Sequence, residues 1–432
     1  MSRKISVAAA VSVAAVTAAV TVSLTYGYAM DNFNRKVADV TERQAMYTKL
    51  SEIDRKVRQD YIGKLDEAAL RDGLCAGYVG GLSDPHAQYL SAEKYKAYLG
   101  SAGSSGTGAG IATVQDRDGN MEVIEVAPGS PAEKAGVKKG DTIVAVDGDD
   151  VARITYAAAL NRLDGTAGTR VKFRILRRAA GADSAAAAQP FELTVVRGEY
   201  RQQTVTSSLI NGNIAFIRIS RFADGTPQEF NTALSRLIRG AAGLVVDLRN
   251  NSAGSVASAA QVLDTLLPAG DTVASRDRTG KVTVEFTSKA NEIPLPVSVL
   301  VNGGTSGAAE LFAADVRDFR KGLVVGEKTA GSSAKVEAVP LSDGSAVLLP
   351  VAEYLPAGKK SFGGAGVAAD IGKSLSEEQR ALLERNGLPP AQDAQVSAAV
   401  ASLARQGAAV LRMPEASSAA APGGSSAPAA VD

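Results

Sequence analysis

One cysteine and one histidine stand in 432 residues, and tryptophan is absent. Cys75 has no partner for an internal disulfide. A single His86 beside a single thiol cannot supply a His- or Cys-rich zinc site, a thioredoxin-type pair or a c-type haem attachment. No metal and no cofactor is expected, and a triad built on histidine has only His86 to use. Charge of one sign is missing as well. Lys+Arg 47 against Asp+Glu 46 leaves a formal net charge of +1, and no basic stripe interrupts that balance, which argues against nucleic acid as a partner. Cys75 lies in the apolar-patterned run from Leu70 to Val79, where a buried, inert thiol is expected. What the chain does have is length and 45% hydrophobic residues, enough for two or three domains.

Arg3 and Lys4 precede an uncharged stretch from Ile5 to Met30, long enough to span a bilayer at about 1.5 Å per residue. Residues 1–30 therefore read as a signal peptide or an N-terminal membrane anchor. Gly27-Tyr28-Ala29 offers a small-x-small cleavage site, so both alternatives stand. Either way the positive end stays in the cytoplasm and the remainder is exported, giving a periplasmic or extracytoplasmic protein that meets the inner membrane through residues 5–30. Residues 31–97 read as helical, because Val37, Val40, Met46, Leu50, Ile53 and Val57 recur at helical spacings.

From residue 98 to 199 the texture changes to short apolar strands and glycine turns. Gly106-Thr107-Gly108-Ala109-Gly110-Ile111 leads into a strand, and Val123–Val126, Pro128–Val137 and Gly140–Gly148 follow. The order Ser-Pro-Ala, Ala-Gly, Gly-Asp, Val-Asp-Gly resembles a PDZ domain. The resemblance implies a groove that takes a protein C-terminus as an added strand, with the loop Gly108, Ala109, Gly110 and Ile111 offering N–H groups to its carboxylate. Ala179 to Gln189 reads as a low-complexity hairpin tip.

Residues 200–390 alternate strands and helices, an α/β layer pattern. Strands are expected at Ile214–Ile219, Gly243–Leu248, Val297–Val301 and Leu323–Gly326, with helices at Gln228–Ile238, Val256–Leu267 and Ala308–Phe319. A C-terminal helix over 391–412 follows, and the Ala-, Ser- and Pro-rich stretch 413–432 is expected to be disordered.

Between about residue 50 and 372 the chain resembles the C-terminal processing, or tail-specific, serine peptidases. The motifs are Leu82-Ser83-Asp84-Pro85-His86-Ala87-Gln88-Tyr89-Leu90, the inserted PDZ-like segment, Asp247–Gly254, Asn302–Glu310, Gly326–Gly331 and Pro340–Ser345. The resemblance implies a mixed sheet-and-helix peptidase core with an inserted β-rich PDZ domain and N-terminal helices. It also implies a Ser–Lys dyad. The nucleophile's place, three residues before Glu310, holds Gly307. The general-base lysine's place holds Ser332, and the place of an orienting glutamine holds Val336.

A serine hydroxyl needs a nearby base, and lysine is one only when its pKa is depressed. Glycine has no hydroxyl, and a serine is no base near neutral pH. A rewired pair of Ser306 and Lys335 is the alternative. One residue at a helix start turns a side chain by about 100°, and three residues along a strand put Lys335 on the opposite face from 332, about 10 Å away. The resemblance further implies an oxyanion-hole remnant at Ala253 or Gly254 and Ala308, although Ser252-Ala253 replaces the usual Pro-Gly. His86 falls in an Asp-Pro-His turn read as structural, and Asp247 with Arg249 reads as a buried ion pair that positions the turn. Asp164 stands where relatives often carry arginine.

The expected function is thus an exported pseudoprotease that binds protein C-termini or extended peptides and regulates or scaffolds envelope partners, an active protease of the same family among them. The alternative is an active serine endopeptidase with the rewired nucleophile.

Overall fold

The computed structural model describes residues 43–101, 105–177, 190–289 and 291–410, with isolated positions between 17 and 30. The expected anchor (save those positions), residues 31–42, the hairpin tip at 179–189 and the disordered tail at 413–432 lie outside the described residues. No helix among the described residues is long and apolar enough to cross a membrane.

The chain divides at Cys75 into two compact units. In the first, residues 43–60 are helical. Cys75, on the helix Glu67–Gly80, is half-buried rather than buried, because Leu70, Leu74 and Tyr78 of the same helix are largely exposed.

The second unit is organised around a six-stranded sheet of β1 (Val205–Ile210), β2 (Ile214–Ile219), β3 (Gly243–Asp247), β4 (Val297–Val301), β5 (Gly322–Gly326) and β6 (Ile371–Gly372), ordered as numbered. Only β1 runs antiparallel to its neighbour. β3 and β4 are buried at every residue, as a parallel sheet covered on both faces requires.

Alternate residues point to opposite layers. Ile217, Ile219, Leu244, Val246, Val299 and Val301 pack with the helices α1 (Thr226–Leu237), α2 (Val256–Leu266) and α3 (Ala308–Asp318). Ile214, Phe216, Val245 and Leu300 pack with Val396, Ala399, Val400 and Leu403 of α4 (Ala394–Arg405) on the other side.

A second, antiparallel sheet is built on the long strand Ala346–Leu355. It pairs with Gln88–Leu90, Ala334–Pro340 and Gly270–Asp277, and the last pairs with Val282–Ser288. The strands Gln88–Leu90 and Ala334–Pro340 thereby share a neighbour, though nearly 250 residues separate them in sequence.

The PDZ-like segment has its own sheet of Ile111–Gln115, Met121–Val126, Thr142–Val146, Arg170–Leu176 and Pro190–Val196. Met121, Val123, Ile143, Val171, Phe173 and Val195 fill a separate core. Its entry strand Ser105–Gly108 pairs with its exit strand Gly198–Arg201, so the insertion begins and ends at one place.

Candidate active site

The loops after β2, β3, β4 and β5 meet at the C-terminal ends of these strands, the edge where open α/β sheets place their ligands. The loop after β3 is anchored by the buried Asp247–Arg249 pair at 2.7 Å, and Arg249 also reaches Asp393 at 2.7 Å and Gln395 Oε1 at 2.9 Å. Burial would push the Asp247 carboxyl up, but Arg249 outweighs it and holds Asp247 below the ordinary carboxylate range. The pair is structural, as the sequence suggested.

Beyond it, Asn250 and Asn302 exchange hydrogen bonds between the loops that follow β3 and β4, at 2.9 and 2.8 Å. Thr305 Oγ1 donates to the Leu248 carbonyl at 2.9 Å. The turn with Ser252-Ala253 is closed by Phe222, whose N–H donates to Ala253 O (3.0 Å) and whose carbonyl accepts from Ser255 N (2.7 Å). Gly254 has φ +120°, and a Cβ there would stand 2.1 Å from Phe222 O. Only glycine fits this turn.

Gly307 connects the β4 loop to α3 with φ 62° and ψ −117°. A strand-to-helix turn with a strained residue at its apex is how many serine hydrolases expose their nucleophile. Here glycine adopts the geometry without a Cβ, and no atom lies within 4 Å of where a Cβ would be. The next N–H, on Ala308, opens the helix and has no intrahelical acceptor. The turn at Gly307 therefore carries a free N–H at its exit and open space at its apex.

Glu310 ties the parts together. Fully buried, it accepts through Oε2 from Gly307 N (2.9 Å) and Ser332 N (2.7 Å) and through Oε1 from Gly331 N (2.6 Å) and the Thr329 hydroxyl. One carboxylate oxygen thus holds positions 307 and 332 side by side. A glutamate at the third helical position is a capping signal in the sequence, but its partners on the far loop leave no such signal.

The rewired dyad is not assembled. Lys335 donates to Glu285 at 2.6 Å, and that hydrogen bond raises its pKa against a smaller opposing effect of burial. An ammonium held more firmly than usual is the reverse of a lysine base. Ser306 donates its N–H to Asn251 O at 2.9 Å, which fixes it in the loop beside the apex. Val336 faces Pro350 in the register of the second sheet. The unforeseen contact is that of Ser332 Oγ with His86 Nε2, at 3.4 Å; no sequence signal pointed to it.

In the PDZ-like segment, Ala109 is fully buried and its N–H donates to Leu163 O at 2.9 Å. Gly108 and Gly110 are buried as well, and Ile111 is the half-buried member of the expected loop. Gly108 forms a bridge with Asp164, whose carboxyl is pushed up by burial and partly held down by Arg197. Tyr156, opening the helix Tyr156–Asn161, donates to the Thr113 carbonyl at 2.7 Å and so occupies a backbone acceptor of the strand Ile111–Gln115.

Comparison with known proteins agrees with this geometry. Residues 213–372 match peptidase family S41, and residues 122–177 match a PDZ domain. The chain is 31% identical over 313 residues to the carboxy-terminal processing protease CtpA of Bacillus subtilis, covering 72% of this chain and 65% of that relative's length. It is 30% identical over 334 residues to the chloroplastic C-terminal processing peptidase of Tetradesmus obliquus, covering 73% and 71%. Among solved structures, a putative S41 protease from Bacteroides fragilis superposes with a TM-score of 0.52 at 20% identity, covering 81% of this chain and 91% of that one, a likeness of fold. The S41 core with its inserted PDZ domain and the similarity along most of the chain place this protein in the C-terminal processing protease family.

Proposed function

We propose that this family member is an exported pseudoprotease that binds protein C-termini or extended peptides and acts on envelope partners as a regulator or scaffold. The observation that carries the reading is Gly307 at the apex of the strained turn, with the Ser332 backbone beside it on the same Glu310 oxygen. The family's hydroxyl and amine are both missing from positions that are otherwise held together. Lys335, the amine nearest in sequence to 332, is committed to Glu285. The PDZ domain supplies the peptide-binding part, and the apolar stretch Ile5–Met30 supplies the case for export.

The test is turnover of an unfolded protein such as β-casein by the full chain, with Ser306→Ala beside it, together with binding of peptides that carry free or amidated C-termini. Binding lost on amidation, with no cleavage by folded protein, is the expected result. Cleavage that disappears in Ser306→Ala would establish the rewired nucleophile and overturn the reading.

A further inference from the structure

We propose that Ser332 and His86 form a Ser–His pair in this cleft and that Ser332 Oγ takes acyl groups from carboxylic esters, a chemistry separate from the lost Ser–Lys dyad. The inference shares the cleft with the reading above but does not require peptide binding.

Both residues are fixed by backbone bonds. Ser332 N–H donates to Glu310 Oε2 at 2.7 Å, Gly331 N–H to Oε1 at 2.6 Å, and the Gly331 carbonyl accepts from Gly364 N at 2.8 Å. His86 N–H donates to Asp84 Oδ1 at 2.8 Å, and two residues later the strand Gln88–Leu90 is registered on Ala346–Leu348. The two side chains, each half-buried, meet at 3.4 Å through Oγ and Nε2. A separation at the long end is common in ligand-free sites whose hydrogen bonds tighten with substrate.

The electrophile's place follows from Gly307. Gly307 N–H and Ser332 N–H share Glu310 Oε2, and the space a Cβ on Gly307 would take is open, so the proposal places the electrophile there. The N–H of Ala308, next to that apex and without an intrahelical acceptor, is the oxyanion donor the proposal assigns.

In the step itself, His86 Nε2 takes the Ser332 hydroxyl proton as the Oγ–carbon bond forms. The ester's carbon–oxygen bond then breaks, and the departing alkoxide takes the proton back from Nε2. Water repeats the sequence on the acyl-serine and releases the acid, so atoms and charge balance without a co-reactant. Esters are the substrate class because their leaving group needs less protonation than an amide nitrogen.

The experiment treats the full chain with p-nitrophenyl acetate and, separately, with a fluorophosphonate, and locates adducts by mass spectrometry. A Ser332 adduct is expected on folded protein and not on urea-unfolded protein. His86→Gln is expected to slow adduct formation by a hundredfold or so, and Ser332→Ala to abolish it, with both variants verified as folded by their melting curves. Lys335→Ala is expected to leave the yield unchanged.

No adduct on folded wild type, or an adduct confined to Ser306, overturns the pair and leaves the pseudoprotease reading intact. A labelling rate unaffected by His86→Gln also overturns it. Turnover of unfolded protein that vanishes in Ser332→Ala would instead overturn the pseudoprotease reading while supporting the pair.

Discussion

Glu310→Gln removes one acceptor from the centre of the cleft and leaves its size unchanged. The wild-type carboxylate receives three backbone N–H groups and the Thr329 hydroxyl. In the least costly placement, the glutamine oxygen keeps Gly307 and Ser332, and the amide nitrogen faces Thr329 and Gly331. The Thr329 hydroxyl can rotate. The Gly331 N–H cannot, and it is left against another donor in a buried site. One orphaned N–H costs about 1–3 kcal/mol, and each bond that loses its charged acceptor gives up roughly 1 kcal/mol more. The expected loss is therefore about 3–5 kcal/mol. Glu310→Ala, which orphans all four donors, is expected to lose about 5 kcal/mol or more. Urea unfolding at neutral pH, followed by circular dichroism, measures both. A Glu310→Gln loss below about 1 kcal/mol, or equal losses in the two variants, would refute the claim that this carboxylate holds 307 and 332 together.

Gly307→Ser places its side chain in open space but asks an L-residue to adopt φ 62° and ψ −117°. It is expected to fold and to lose about 1–3 kcal/mol, with Gly307→Ala losing the same amount in the same assay. Arg249→Met leaves Asp247 and Asp393 buried without their cation and is expected to cost about 3–5 kcal/mol in urea. In the wild type the Asp247 pKa is lowered on folding, so its stabilisation is present above the unfolded pKa and lost as pH falls through the folded one.

Asp315 behaves in the opposite sense. Burial raises its pKa well above the ordinary value against one hydrogen bond from Ala357 N. Its contribution is complete below the unfolded pKa and lost as pH rises through the folded pKa. Asp315→Asn is expected to flatten the fall in melting temperature between acidic and neutral pH, and an unchanged slope would count against the assignment.

The strands Ile214–Ile219 and Val297–Val301 were legible to the residue, because a sheet buried on both faces demands unbroken apolar runs bounded by polar loops. The helices at Val256 and Ala308 were legible in the same way, from apolar residues at helical spacing. The degenerate positions were legible for a different reason. A missing hydroxyl or amine is a property of the residue itself, so the proposal of a lost Ser–Lys dyad at Gly307 and Ser332 rests on residue identity in any conformation.

Partnership is another matter, since it depends on what the chain brings back from far away. Glu310 meets Thr329, Gly331 and Ser332, Lys335 meets Glu285, and His86 meets Ser332 across 246 residues. None of these pairs leaves a periodicity or a spacing in the sequence. The residues alone determined which side chains stand at 307 and 332. Only the packing of two sheets around Ala346–Leu355 and the end of β5 decided which groups the cleft joins.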